Sequence, residues 1–270
     1  MIVLIRGGGD LASGVAVRLQ NCGIRVVISE LEQPLAIRRL VSFSEAIYTG
    51  ETSVEGITAR RVLDPTDTLR VLQVLAKGHI PVLIDPEGQA IKALHPYVVV
   101  DARMLKTMVE LIPTQVKLII GLGPGFVTGQ NCHAVIETKR GHYLGRVIWQ
   151  GGAEEDSGIP EAVNSKDKDR VLRAPGDGVL QAHAEIGEHL SAGQLVAEVD
   201  GQAVNAPFSG VLRGMLHPGI IVKNGMKIGD VDPRDDPAYC RMVSDKALAI
   251  GGGVLEAILS RPELRPHLWS

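Results

Sequence analysis

Aromatic side chains make up only 3% of this 270-residue chain, which argues against recognising single-stranded nucleic acid on stacked rings. An excess of either charge is also missing. The net charge is −3, and no stretch is rich in lysine or arginine, so no polyanionic partner is expected. The three cysteines, Cys22, Cys132 and Cys240, lie far apart and form no Cys-x-x-Cys. That spacing excludes a disulfide framework and a tetrahedral zinc site, and no metal ligands are expected. No apolar run approaches the ~18 residues of a membrane-spanning helix. The N-terminus shows neither a basic leader nor a small-residue cleavage site. The expectation is a soluble, cytoplasmic, reduced protein without a membrane or nucleic-acid partner.

Glycine is abundant, at 31 residues, and it clusters where backbone must turn tightly or approach a ligand. The most regular pattern is a repeat at a 32-residue offset. Ala174-Pro175, Gly178-Val179-Leu180, Gly187, Gly193 and Val199 recur as Ala206-Pro207, Gly210-Val211-Leu212, Gly219, Gly225 and Val231. Each copy reads as strand, glycine turn, strand, and neither buries an apolar face alone. Two copies closing on each other resemble the biotinyl and lipoyl carrier domains. The hairpin that carries the modifiable lysine in those domains is here Val199-Asp200-Gly201-Gln202-Ala203-Val204, which has none.

The N-terminal half alternates strands and helices. Ile2–Ile5 is an unbroken apolar run, as in a strand covered on both faces. It enters Gly7-Gly8-Gly9-Asp10-Leu11-Ala12, with Leu11, Val15 and Leu19 following at helical spacing and Gly23 as a stop. Ile24–Ile28 reads as the next strand, and Glu30 stands 21 positions after Gly9. A glycine turn with an acidic residue at that distance is the spacing of a Rossmann unit. Gly7, Gly8, Gly9, Asp10, Leu11 and Ala12 would cup a phosphate at the helix N-terminus, and Glu30 would hold a ribose hydroxyl. Further on, a helix is expected after Asp64-Pro65-Thr66, with Leu69, Leu72 and Leu75 on one face and Gly78 as its stop. Strands are expected at Pro81–Ile84, Tyr97–Val100 and Val116–Ile120. Their ends would put Asp85, Asp101, Arg103, Gly123 and Gly125 on the ligand edge of one sheet.

The central segment holds the residues that are unusual chemically. Cys132 beside His133 could be held as a thiolate, with Glu137 at the far margin of the same strand, giving a candidate catalytic group. Arg140 and His142, next to Lys139, would bind an anion. Near the C-terminus Ser244-Asp245 reads as a helix start. Gly251-Gly252-Gly253 then marks a break, a close helix crossing or another anion-facing N-terminus, because each glycine costs a helix about 1 kcal/mol relative to alanine.

Three strings, taken together, carry a resemblance. They are Val3–Gly14, then Gly121–Phe126 with Cys132–Thr138 and Arg140-Gly141-His142, then Ser244–Ala247 with Ala249–Ala257. They resemble the selenium-dependent molybdenum hydroxylase maturation proteins called YqeB, to which the XdhC proteins are related. The resemblance implies maturation or insertion of a (seleno-)molybdenum cofactor, with molybdopterin bound in the glycine mouth and a molybdenum hydroxylase apoprotein as partner. The N-terminal string also resembles precorrin-2 dehydrogenase, so an NAD(P)-dependent oxidoreductase is the alternative, and a non-catalytic adaptor docking on the hydroxylase is a third. Whether any reaction is catalysed stays open, and self-association is compatible with the sequence. The expected fold class is α/β: a Rossmann-like parallel sheet, then a small biotinyl/lipoyl-like barrel-sandwich hybrid, then a C-terminal helical tail. The corresponding domains are 1–130, a central hairpin and connector at 131–168, the sandwich at 169–233, and helices at 234–270.

Overall fold

The structure is a computed structural model that describes residues 1–105, 107, 116–155 and 170–269. Residues 156–168 of the expected connector lie outside the described residues. The chain divides into two compact units. One comprises Met1–Pro34, Ser42–Asp156 and Val243–Ser270, and the other Leu35–Val41 and Ser157–Met242. No described helix is long and apolar enough to cross a membrane.

The first unit opens with β1 (Ile2–Arg6), α1 (Asp10–Asn21) and β2 (Arg25–Glu30), then α2 (Ala46–Thr49) and the hairpin β3 (Glu51–Val54) and β4 (Ile57–Val62). It continues through α3 (Thr68–Ala76), β5 (Ile80–Ile84), α4 (Gln89–Leu94), β6 (Val98–Asp101) and β7 (Leu118–Leu122), to β8 (Ala134–Ile136) and β9 (Val147–Ile148). These nine strands form one sheet in the order β3-β4-β5-β2-β1-β6-β7-β8-β9. Val3, Leu4 and Ile5 of β1 and Val98, Val99 and Val100 of β6 are fully buried, as their unbroken apolar runs require.

In the second unit the strands are β10 (Val171–Arg173), β11 (Gly178–Ala182), β12 (His189–Leu190), β13 (Leu195–Val199), β14 (Gln202–Asn205), β15 (Gly210–Met215), β16 (Ile221–Val222) and β17 (Lys227–Asp232). They form two antiparallel sheets, β10-β17-β15-β12 and β14-β13-β11-β16. The repeat explains the arrangement, since each sheet takes two strands from each copy. Equivalent backbone bonds recur across the offset. Gly187 N donates to Leu212 O as Gly219 N does to Leu180 O, all at 2.8 Å, and Gly193 N→Ala206 O matches Gly225 N→Ala174 O. Asp200 and Gly201 both take positive φ, +46° and +78°, in the turn joining β13 to β14.

The expected fold class is corrected. The large sheet is mixed, not a Rossmann-like parallel sheet: β3 pairs antiparallel with β4, and β8 with β9. β5 lies between β2 and β4, an order the simple βαβ succession does not produce. Two separate four-stranded sheets and a segment from the N-terminal half, Leu35–Val41, stand where a carrier-like sandwich tail is expected. The last helix, α5 (Asp245–Leu259), is uninterrupted through Gly251-Gly252-Gly253 and packs against α1 and the large sheet. The glycines mark a close crossing: a Cβ on Gly251 would lie 2.8 Å from the Gly14 carbonyl oxygen.

Candidate functional site

Strands β1, β2, β5, β6, β7 and β8 run parallel, so their carboxyl ends share one edge of the sheet. Ligands of such sheets bind outside that edge, where successive connections diverge to opposite sides. Here the divergence falls between β1, whose chain continues to β2 on one flank, and β6, whose chain continues to β7 on the other.

The glycine turn after β1 is closed by the protein itself. Gly7, at φ +92°, donates its N–H to Ser29 O at 2.7 Å. Gly8 donates to Glu30 Oε1 at 2.8 Å. The Gly8 carbonyl accepts from Ser44 N at 2.9 Å and from the Ser13 hydroxyl at 3.2 Å. Gly9 caps α1, and Asp10, Leu11 and Ala12 are its first turn. Glu30 and Ser29 thus engage the Gly7 and Gly8 amides, so these two are not offered to a molybdopterin or NAD(P) phosphate. Nor does Glu30 reach out for a ribose. Burial raises its pKa, against the two amides of Gly8 and Leu31 that favour the charged form.

The second glycine loop is likewise self-satisfied. Gly123 N donates to Ile136 O at 2.9 Å, and Asn131 bridges Val127 N and Gly125 O. Glu137 is buried and accepts from the backbone N–H groups of Thr138, Lys139 and Glu154, at 2.7–2.8 Å. It staples the segment after β8 and presents no carboxylate oxygen for general acid–base work, which corrects its expected catalytic role. Arg140 makes a bidentate pair with Asp245 at the start of α5, at 2.6 and 2.8 Å, and Lys139 pairs with Glu154 at 2.6 Å. His142 is exposed beside this neutralised loop. Cys132 is also corrected: burial pushes its thiol up to about 11, outweighing a hydrogen bond from Gly121, so it is not a thiolate at neutral pH. His133 does not activate it, because its Nδ1 accepts the Ile119 amide at 2.8 Å.

Charge instead gathers at the switch point. Asp101, fully buried at the end of β6, takes the Arg103 guanidinium in a bidentate pair whose shortest distance is 2.6 Å. Arg6, the last residue of β1, approaches the same carboxylate at 3.5 Å, with its side chain 11% exposed. Its Nη2 also passes 3.5 Å from where a Gly88 Cβ would stand. Burial and then the neighbouring Arg103 pull Arg6 below its ordinary pKa, while Asp101, Asp85 and Glu87 oppose them. Asp85 is committed to capping α4, accepting from Gln89 N at 2.7 Å and Ala90 N at 3.0 Å. Sequence reasoning placed Asp101 and Arg103 here but missed Arg6. The signal was present: a cation ends an otherwise apolar buried strand, just ahead of its glycine turn. Among the described residues, no three His, Cys, Asp or Glu side chains gather as a metal site.

No family model matches the sequence. The chain is 43% identical over 258 residues to "Uncharacterized protein YqeB" of Escherichia coli (strain K12), an alignment covering 96% of this chain and 47% of that protein. The chain thus spans about half the length of the curated relative it matches. Among solved structures, it is similar to an aspartoacylase family protein from Mesorhizobium loti (8% identity, TM-score 0.26, 85% and 83% of the two chains). Another is a succinylglutamate desuccinylase from Silicibacter sp. TM1040 (13% identity, TM-score 0.25, 85% and 84%). At such scores these likenesses bring no activity to this chain. The expected membership in a molybdenum hydroxylase maturation family is corrected. The curated relative carries the name YqeB but is described only as uncharacterized, so it brings no maturation role to this chain. With it goes the implied selenium and molybdenum chemistry.

Proposed function

We propose that this protein binds a small carboxylate-bearing molecule at the switch point between β1 and β6, with Arg6 as the principal anchor. One observation carries the reading. Arg103 saturates Asp101 at 2.6 Å, while the nearly buried Arg6 guanidinium stands 3.5 Å from that same oxygen. Charge-assisted hydrogen bonds to carboxylates are normally ~2.7–2.9 Å long, so Arg6 keeps fork geometry to offer a second carboxylate. Asp101 holds Arg103 in place, and Arg103 adds a second positive charge beside Arg6. Charge also selects the ligand. Two guanidinium groups stand against three carboxylates, Asp85, Glu87 and Asp101. In that field a phosphate dianion is disfavoured more strongly than a carboxylate monoanion that meets the Arg6 guanidinium directly.

Titration with acetate, lactate and inorganic phosphate at matched ionic strength, followed by NMR and by Tm, tests the reading. The carboxylates should give saturable shifts at Gly7, Ala102 and Arg103, and phosphate should not. Arg6→Met should weaken carboxylate binding at least tenfold, the equivalent of one charge-assisted hydrogen bond of ~1.5–3 kcal/mol. Arg6→Lys, which keeps charge but loses the fork, should fall in between. Phosphate binding as tightly as acetate, or an undiminished response in Arg6→Met, would overturn the assignment.

A further inference from the structure

A second feature of the first unit is independent of the carboxylate site. Where the β8–β9 hairpin meets the loop after β7, Thr128, Gly129, Cys132, His133, Trp149 and Gly151 line an open groove of about 410 Å³. Ligand clefts of small molecules span ~300–1,000 Å³. Its rim is set before anything binds. Thr128 N and Oγ1 both donate to Gly151 O, at 2.9 and 3.1 Å, and Gly129 N donates to Cys132 O.

Three properties of the lining specify a ligand. The first is the histidine tautomer. His133 Nδ1 accepts the backbone N–H of Ile119 at 2.8 Å, so in the neutral ring the proton sits on Nε2, on the edge turned away from the sheet. Desolvation at the groove wall and the charge of Arg261 both pull His133 below its ordinary pKa, which keeps the ring neutral near pH 7. The second is the absence of charge. Among the described residues, no carboxylate, lysine or arginine lines the groove, Arg261 beside Trp149 is paired with Glu263, and Cys132 stays a thiol. The third is Trp149, left 39% exposed in a chain poor in aromatics. The Arg261 guanidinium lies 5.8 Å from its ring centroid and is itself held by Glu263, so one indole face is covered by a fixed cation.

A fixed neutral donor beside an exposed indole, in an uncharged groove, suits one class of molecule. We infer that the groove binds an uncharged planar heteroaromatic ring, stacked on Trp149 and accepting a hydrogen bond from His133 Nε2–H. An anionic ligand finds only Arg261 there, already paired with Glu263. An aliphatic one wastes the indole face, since aromatic pairs contribute ~0.5–1.5 kcal/mol beyond the area they bury.

Quinoline and its isostere naphthalene, which lacks the ring nitrogen, form the test pair, titrated into the full chain and followed by 1H–15N NMR. Quinoline should shift the Trp149 indole N–H and the Gly129 and Gly151 amides saturably, at millimolar concentrations, and naphthalene at least tenfold more weakly. His133→Asn retains an acceptor for the Ile119 amide but loses the outer donor, and should weaken quinoline at least tenfold. His133→Gln places its amide N–H near Nε2 and should recover much of that binding. Trp149→Leu should abolish the ring-current shifts. The inference is overturned if quinoline gives no saturable shift, if naphthalene binds equally well, or if His133→Asn binds quinoline like the unaltered protein while its spectrum shows a native fold.

Discussion

At the scale of single residues, environment decided the roles that residue type suggested. Cys132 and His133 are adjacent, as nucleophile and base often are, yet just ahead of β8 one is buried and the other exposed. Cys132 joins the apolar core with Phe126 and Val135, while His133 faces outward. Burial pushes the thiol up to about 11, which leaves roughly one molecule in a thousand as thiolate at pH 8. The exposed Cys22 should therefore react with a maleimide at pH 8 well before Cys132 or the buried Cys240, as peptide mapping by mass spectrometry can show. The sign of the pH effect follows. The unfolded thiol ionises near its ordinary value while the folded one keeps its proton, so this group lowers stability as pH rises from about 9 towards 11. Rapid Cys132 labelling at pH 8 would contradict this burial. Glu30 teaches the same lesson: its spacing from the glycine turn is that of a ribose hook, but its carboxylate turns inward and seals the turn.

At the scale of elements, sequence periodicity located most strands and helices and misjudged how some face. Leu69, Leu72 and Leu75 suggest one buried stripe on α3, but Leu69 is 67% exposed and Leu72 48%. The buried stripe is Val71, Val74 and Leu75, with i, i+3, i+4 spacing, set once Asp67 caps the helix through the Arg70 amide. The three glycines of α5 are likewise an element-scale matter. Their cost to the helix is outweighed by how closely α5 approaches α1, where a Cβ on Gly14 would stand 2.6 Å from Ala247 Cβ and 2.7 Å from its carbonyl oxygen. Gly14→Ala should destabilise the protein by roughly 1–3 kcal/mol through overpacking, measured by urea unfolding. Gly252, whose Cβ would meet nothing within 4 Å, supplies the control. Gly252→Ala should stabilise by up to about 1 kcal/mol, and a similar loss in both variants would rule out the close crossing as the cause.

At the scale of the whole molecule, the internal repeat shapes one unit and long-range pairing shapes the other. Because β15 pairs with β17 in one sheet, Asp232 meets Arg213 across the strands, with Arg234 two residues along the chain. Burial works to raise its pKa, but hydrogen bonds and charge from Arg234, with Arg213 nearby, win and hold it below the ordinary carboxylate range. A carboxylate depressed in the folded state adds stability that is complete above its unfolded pKa of about 3.9 and disappears as pH falls through the folded value. Acid unfolding followed by far-UV circular dichroism should therefore shift to higher pH in Arg234→Met. An unchanged acid midpoint would show that Asp232 carries no such linkage.

The sequence by itself determined what depends on near neighbours: the apolar strands of the large sheet, the glycine stop of α1, the serine cap of α5, and the repeat that pairs Gly187 with Leu212 and Gly219 with Leu180. Local periodicity and turn chemistry act over a few residues, and they are written in the order of the chain. Only the tertiary structure decided that β5 inserts between β2 and β4, that Glu30 closes the first glycine turn, and that Arg6 and Arg103 converge on Asp101. Each joins residues distant in sequence, and such pairings are settled by competition among many alternatives for burial and for a partner. Short-range pattern carries no record of that competition.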